Sequence, residues 1–423
     1  MNNVVIFVIC KYLNNNEKKL LKDCSKYFNK IASPIYFSNI TIHFDKIYSG
    51  AEEFRNFARK YKLSINVSNI YDVQQLSYFD DYALSLHSLE FTYFFNESIK
   101  IFPPTLKKLN LGSKFNKPIN NLPPTLEILI CSHKFNQPIT ILPKTLTNLT
   151  FGDAFNQSIK ELPESLQILT FGNDFNQYIG RNIECCRSLK ILTFGFDFNQ
   201  PIDYLPLSLQ NIIFGSEFNQ SINTLTNNKS LLFLAFRKKF NQSIDMLPSS
   251  ITSLTLGREF DLPIIKLPAS LKSLIFGDWF NQPIGLDILP VMLKKLTFGS
   301  EFNQPIIYRK YNIPHTIDIA SVPFSILPES LKSLKFGRSF NQIINFGLPS
   351  SLKNLTLGHD FNYYINMLPS TLESLTIDSN YEKTLNLKNL PKSLKKLYFS
   401  ELHWLGHSKY KENIINKNEL LIY

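Results

Sequence analysis

The dipeptide Phe-Asn returns about every 20 residues through most of this 423-residue chain. It stands at Phe95-Asn96, Phe115-Asn116, Phe135-Asn136, Phe155-Asn156, Phe175-Asn176, Phe198-Asn199, Phe218-Asn219 and Phe240-Asn241. Further copies follow at Phe280-Asn281, Phe302-Asn303, Phe340-Asn341 and Phe361-Asn362, with altered ones at Phe260-Asp261 and Tyr381-Glu382. A unit this short cannot enclose a core of its own, so each must bury its apolar face against the units before and after it. The pattern therefore predicts a solenoid, whose core grows in one dimension without the limit that splits long globular chains into domains.

Within one period the sequence reads Leu-Pro-x-Ser/Thr-Leu-x-x-Leu-x-Phe-Gly-x-x-Phe-Asn-Gln-x-Ile, as in Leu122 to Ile139. The segment Leu-x-x-Leu-x-Leu/Phe is the strand signature of leucine-rich repeats. It recurs at Leu106/Leu109/Leu111, Leu166/Leu169/Phe171 and Leu271/Leu274/Phe276, among other places. Alternation about its second Leu turns two apolar residues inward and the residues between them outward. Stacked units then build one parallel β-sheet of about 16 short coils. So short a period leaves room for turns or 3₁₀ segments on the convex side, not for full α-helices. Proline at Pro123 and its equivalents suits the entry to the strand, since it lacks an N–H. Glycine at the strand exit, from Gly112 to Gly358, is read as permitting a turn of positive φ. Residues 313–328 begin like a coil but omit most of the Phe-Asn turn, which predicts a defective coil and a kink there.

Phe-Asn itself reads as structural. Phe115, Phe135, Phe155 and Phe175 are expected to stack as an aromatic spine, each contributing about 1.5–3 kcal/mol by burial. Asn116, Asn136, Asn156 and Asn176 carry a donor and an acceptor on one short side chain, suited to bonding backbone groups between coils.

The strings Phe-Asn-Gln-Pro-Ile at 302–306 and Phe-Asn-Gln-Ser-Ile at 155–159, 218–222 and 240–244 resemble the FNIP repeat. That family is best known from amoebae and the giant viruses that infect them. The resemblance covers about residues 86–400 and implies a leucine-rich-repeat relative engaged in protein–protein contacts.

The first 45 residues follow a helical period instead, with Leu20, Leu21, Cys24, Phe28 and Ile31 at three- and four-residue steps. The string from Tyr12-Leu13 to Ile31 resembles the F-box, although the usual Leu-Pro opening is absent. That resemblance implies that Leu13, Leu20, Leu21, Cys24 and Phe28 form the core and docking face for the Skp adaptor of a cullin–RING ubiquitin ligase. A plain helical cap on the solenoid is the other reading. The expected layout is an F-box-like α-helical head at 1–45, a junction at 46–85, repeats at 86–400 and a capping or trailing tail at 401–423.

The outward strand positions are where a partner would sit. Ile128, Ile130, Ile168, Ile191, Ile213 and Phe233 are apolar at sites where solvent-facing residues are normally polar, which marks a target surface. The competing reading is that β-propensity alone selects Ile there. Lys294, Lys295, Lys332, Lys335, Lys395 and Lys396 make the later coils basic, and the chain carries a net charge of +11. Nucleic acid would bind such a stripe electrostatically, but no nucleic-acid motif accompanies it and a solvated face is the expectation.

The 44% hydrophobic content and 36 Phe exclude a disordered chain. Five cysteines without paired spacing argue against a disulfide framework and for a reducing compartment, cytoplasmic or nuclear, within the host cell if the protein is viral. The apolar opening residues lack a basic start and are cut short by Lys11, so neither a signal peptide nor a membrane span is expected. Carboxylates on the strands, such as Glu127 and Glu373, form no pair in adjacent coils, and no metal-ligand spacing or phosphate loop occurs. The expectation is a non-enzymatic adaptor without a cofactor: its head engages the Skp adaptor and its repeats hold a target for ubiquitination. The alternative is a protein-binding scaffold with no ligase link.

Overall fold

The structure is a computed structural model that describes residues 86–308 and 324–401, apart from Ser379, Thr384 and 386–388, together with three further strands. The chain divides into two compact units, Met1–Lys190 and Ile191–Tyr423. Each is a parallel β-solenoid of three-residue strands, with longer strands toward the chain ends.

In the first unit the strands are β1 (Ile40–His43), β2 (Ile65–Ile70), β3 (Leu86–Phe91), β4 (Lys108–Asn110), β5 (Ile128–Ile130), β6 (Asn148–Thr150) and β7 (Ile168–Thr170). All pair in parallel, each with the next in sequence. The second unit holds β8 (Ile191–Thr193), β9 (Asn211–Ile213), β10 (Phe233–Ala235), β11 (Ser253–Thr255), β12 (Ser273–Ile275) and β13 (Lys295–Thr297). After the short β14 (Ile307–Tyr308) and β15 (Phe324–Ser325) come β16 (Ser333–Lys335), β17 (Asn354–Thr356), β18 (Ser374–Asp378), β19 (Lys396–Glu401) and β20 (Lys409–Ile414). β20 runs antiparallel to β19, so part of the expected tail ends the parallel order as an edge strand. The end of the expected head also joins the sheet, because β1 lies within residues 1–45. The remainder of that head lies outside the described residues.

Each three-residue strand buries its central Leu or Ile and leaves its two flanking residues outward, as Leu129 lies between Ile128 and Ile130. A Pro carbonyl accepts the N–H of the Leu three residues on, as from Leu126 to Pro123, and this closes the turn into the strand. The Ser or Thr of that turn donates to a carbonyl of the preceding coil at 2.6–2.9 Å, as Thr145 does to Leu126 and Ser270 to Ile251. That rung-to-rung bond accounts for the hydroxyl in the repeat, which sequence spacing had left without a role.

The aromatic spine exists in both units, with Phe-Asn rings buried, near-parallel and 5.8–6.3 Å apart from coil to coil. A second spine accompanies it. The Phe at the strand exit stacks 3.6–4.1 Å from the Phe of its own coil. It lies 5.3–5.5 Å from its counterpart in the next coil. Aromatic pairs at the coil-to-coil distances of 5.3–6.3 Å add about 0.5–1.5 kcal/mol beyond burial.

Beside the spines runs the amide ladder. Each Asn Oδ1 accepts the backbone N–H of its counterpart one coil later at 2.9–3.1 Å. The same oxygen also takes the Nε2 of the following Gln, as Asn116 does from Gln137 and Asn219 from Gln242. Asp261 serves equally well, accepting from Asn281 N at 2.9 Å and Gln282 Nε2 at 3.1 Å. The rung thus requires an acceptor and not an amide. Asn219→Asp is accordingly expected to change stability by less than about 1 kcal/mol, while Asn219→Leu, which strips an acceptor from two half-buried donors, should cost about 2 kcal/mol or more. Urea denaturation of the two variants measures the difference.

The strand-exit glycines are present for a different reason from the one expected. Of those named, positive φ occurs among the described residues only at Gly112 (72°). Others lie on the backbone of the coil before: a Cβ on Gly172, Gly277 or Gly337 would sit 1.7–2.0 Å from the preceding coil's carbonyl oxygen. Close coil-to-coil approach, more than turn conformation, selects glycine at these rungs, although Ser132 and Arg237 stand at the equivalent position in two coils.

Length variation is absorbed on the side away from the strands. The longer coils after Phe175 and Phe218 place 3₁₀ turns at Gly180–Ile183 and Asn223–Asn227, as the short period implied, and the second leaves the register of β9 with β10 unaffected. Of the segment expected to form a defective coil at 313–328, the described residues 324–328 add no rung to the main sheet. β13 pairs directly with β16, Phe302 stacks on Phe340 at 6.1 Å, and Asn341 N donates to Asn303 Oδ1 at 2.9 Å. β14 and β15, on either side of residues 309–323, pair antiparallel. Spines and ladder thus run on directly from the β13 coil to the β16 coil; residues 309–323 lie outside the described ones.

Candidate protein-binding surface

The side chains free to vary are those flanking each strand's buried centre. In the first unit Ile128 and Ile130 share β5 and are half-exposed, as is Ile168 on β7. Register puts Asn148 between Ile128 and Ile168, and Thr150 beside Ile130, so the apolar set there is interrupted by one polar rung.

In the second unit Ile191, Asn211 and Phe233 follow one another in one column, and Ile213 lies between Thr193 and Ala235 in the other. Ile213 and Phe233 are thus diagonal neighbours on adjacent strands, within reach of each other's side chains. The structure adds Leu232, 43% exposed and next to Phe233. Its column is polar at neighbouring rungs (Gln210, Thr252), a contrast that would have singled it out in the sequence. The expected adaptor-binding residues Leu13, Leu20, Leu21, Cys24 and Phe28 lie outside the described residues.

Charge on these faces is partly paired. Lys107 reaches Glu127 at 2.8 Å, and Glu373 accepts from both Lys353 at 2.6 Å and Lys395 at 2.8 Å. Bonds from these two ammonium groups hold the Glu373 carboxyl down at about 2. Cys131 and Cys186 are core residues whose thiols burial pushes far up, away from thiolate chemistry. Among the described residues no three or more His, Cys, Asp or Glu side chains come together to hold a metal. Nor is any helix among them long and apolar enough to cross a membrane.

Stacked three-residue parallel strands, buried Leu columns and turns in place of helices define a repeat solenoid of the leucine-rich-repeat type. The FNIP repeat pattern matches residues 135–174, 155–183, 198–228, 240–278, 280–319, 322–360, 340–379 and 361–401. These stretches make up more than half of the chain, which belongs to the FNIP repeat family. Its structure is similar to that of CroV588, a circular leucine-rich-repeat protein, with a TM-score of 0.59 and 36% identity over 80% of this chain and 56% of CroV588. The chain therefore spans a little over half the length of that relative. A looser likeness is to the internalin InlF of Listeria monocytogenes, 17% identical with a TM-score of 0.40 over 60% of this chain and 80% of that one. No curated protein sequence matches the chain.

Proposed function

We propose that this chain is a protein-binding scaffold whose strand faces recognise a target, and that its first 45 residues couple it to the Skp adaptor of a cullin–RING ubiquitin ligase. The observation that carries the scaffold reading is the division of labour within a coil. Leu, Phe, Asn, Gly and Ser/Thr are all committed to the neighbouring coil, which leaves the strand flanks as the free positions. On those flanks Ile191, Ile213, Leu232 and Phe233 expose apolar surface where the fold itself makes no demand for it. The ligase link rests on the F-box-like string from Leu13 to Phe28.

Two measurements test these parts separately. Ile191→Asp/Phe233→Asp alters half-exposed residues, so the fold should persist and capture of the target should fall at least about tenfold; unchanged capture would remove this face from the reading. Pull-down with a eukaryotic Skp adaptor tests the head: binding by the full chain that is lost on removal of residues 1–45 supports the ligase role. If the full chain captures no adaptor, a scaffold without ubiquitin-ligase function remains.

A further inference from the structure

The residue just before each strand forms a column of its own, and in the second unit that column includes a run of four lysines. Lys294 N donates to Lys272 O at 2.8 Å, Lys332 N to Lys294 O at 2.9 Å and Lys353 N to Lys332 O at 2.9 Å. These four exposed lysines thus occupy consecutive rungs, about 4.8 Å apart at the backbone. Lys353 is neutralised by Glu373 on the next rung. Lys272, Lys294 and Lys332 have no carboxylate partner among the described residues, and exposed Lys295 and Lys335 stand beside them on β13 and β16.

Like charges on adjacent rungs oppose the fold. The coil does not need them either, because the same position is Thr147, Gln167, Gln210 or Thr252 elsewhere. Between the lysines, Ser273 and Ser333 flank Lys295 in register, and Thr297 lies beside Lys335. Every side chain named on this patch can donate a hydrogen bond and none is an acid. An anion is therefore the complement of this surface. None of these positions is aromatic, so bases would find no stacking platform of the kind that single-stranded nucleic-acid sites use.

We propose that rungs β12, β13 and β16 form a docking stripe for an acidic protein segment, separate from the apolar region around Phe233. This rests on the protein-binding reading and names the chemistry of one partner.

The test uses the full chain and a labelled glutamate-rich peptide, with binding followed by fluorescence anisotropy across a salt series. Lys272→Gln/Lys294→Gln/Lys332→Gln places at each site a residue the repeat already uses there, so the fold is retained. The triple variant should bind about tenfold or more weakly with a shallower salt dependence, while its unfolding temperature without peptide stays level or rises. Lys144→Gln/Lys160→Gln, at exposed lysines of the first unit, should bind this peptide as the parent does. Because target capture is read separately with Ile191→Asp/Phe233→Asp, failure of the stripe and failure of the apolar contact region are distinguished. Absence of peptide binding by the parent, or equal binding by the triple variant, would overturn the proposal. Tighter binding of an oligothymidine of matched charge through the same lysines would overturn the choice of a protein partner.

Discussion

Gly277→Ala is expected to destabilise the second unit by about 3 kcal/mol, toward the upper end for overpacking. An added Cβ would stand 1.7 Å from the Gly257 carbonyl oxygen, 2.5 Å from its carbon and 2.8 Å from Arg258 Cα, all of them backbone atoms. No side chain can rotate away, so the coils must separate, and the bond from Phe276 N to Thr297 O and the Phe276–Phe280 stack lie next to the point of strain. Conformational entropy predicts the opposite sign. Gly277 is not at positive φ, so Ala would be stabilising by about 0.4–1 kcal/mol if chain freedom alone mattered. Gly285 supplies the control, because its nearest potential contact is Ile288 Cγ1 at 3.4 Å. Gly285→Ala should be neutral or slightly stabilising. Chemical denaturation of the two variants decides the matter by sign: a Gly277→Ala protein as stable as its parent would rule out close coil approach as the reason for glycine.

The same residue shows where sequence reading succeeds and where it stops. Strand positions were legible because Leu126 and Leu129 recur at a spacing that only an inward strand face explains. Phe-Asn was legible as spine and ladder because an aromatic and a short amide at every period have few other uses. The reason for glycine was not legible, since a turn of positive φ and a close backbone neighbour select the same residue. Likewise Thr145 could serve its own turn or the coil before it, and only the 2.8 Å bond to Leu126 O distinguishes these. The stretch 313–328 carries three prolines, Pro314, Pro323 and Pro328, and apolar residues, as a coil would. The β13–β16 pairing that passes over it depends on a register no single segment encodes.

Much the same holds for the binding surface. Ile128, Ile191 and Phe233 could be placed outward from the sequence because each flanks a buried strand centre. Leu232 escaped notice because the residue before a strand has no fixed side in the alternation. A basic stripe on the later coils was legible from Lys294, Lys295, Lys332 and Lys335, but the place of Lys272 and Lys353 in its column was not, since its members come from four coils of unequal length. Only the backbone bonds from Lys272 through Lys353 put them side by side.

Phe218→Ala should cost about 3–5 kcal/mol, the range for removing a fully buried aromatic ring. The ring is wholly buried and stacks on Phe214 at 3.9 Å in its own coil, on Phe198 at 6.0 Å and on Phe240 at 6.2 Å. Removing it opens a cavity where both spines meet, and adjacent rungs cannot close it without giving up Asn219's bonds to Asn241 and Gln242. Phe196→Ala, at a ring 48% exposed, should cost under about 1 kcal/mol. A double-mutant cycle between Phe214 and Phe218, each replaced by Leu, isolates the stacking contribution, expected at about 0.5–1.5 kcal/mol beyond area. A distant pair, Phe218 with Phe302, should show no coupling, because in a solenoid each coil touches only its neighbours. If Phe214 and Phe218 also proved additive, the spine would be a column of independent hydrophobes rather than a stack. The strand flanks would then owe their freedom to buried area alone, and any large apolar residue could replace Phe in the repeat.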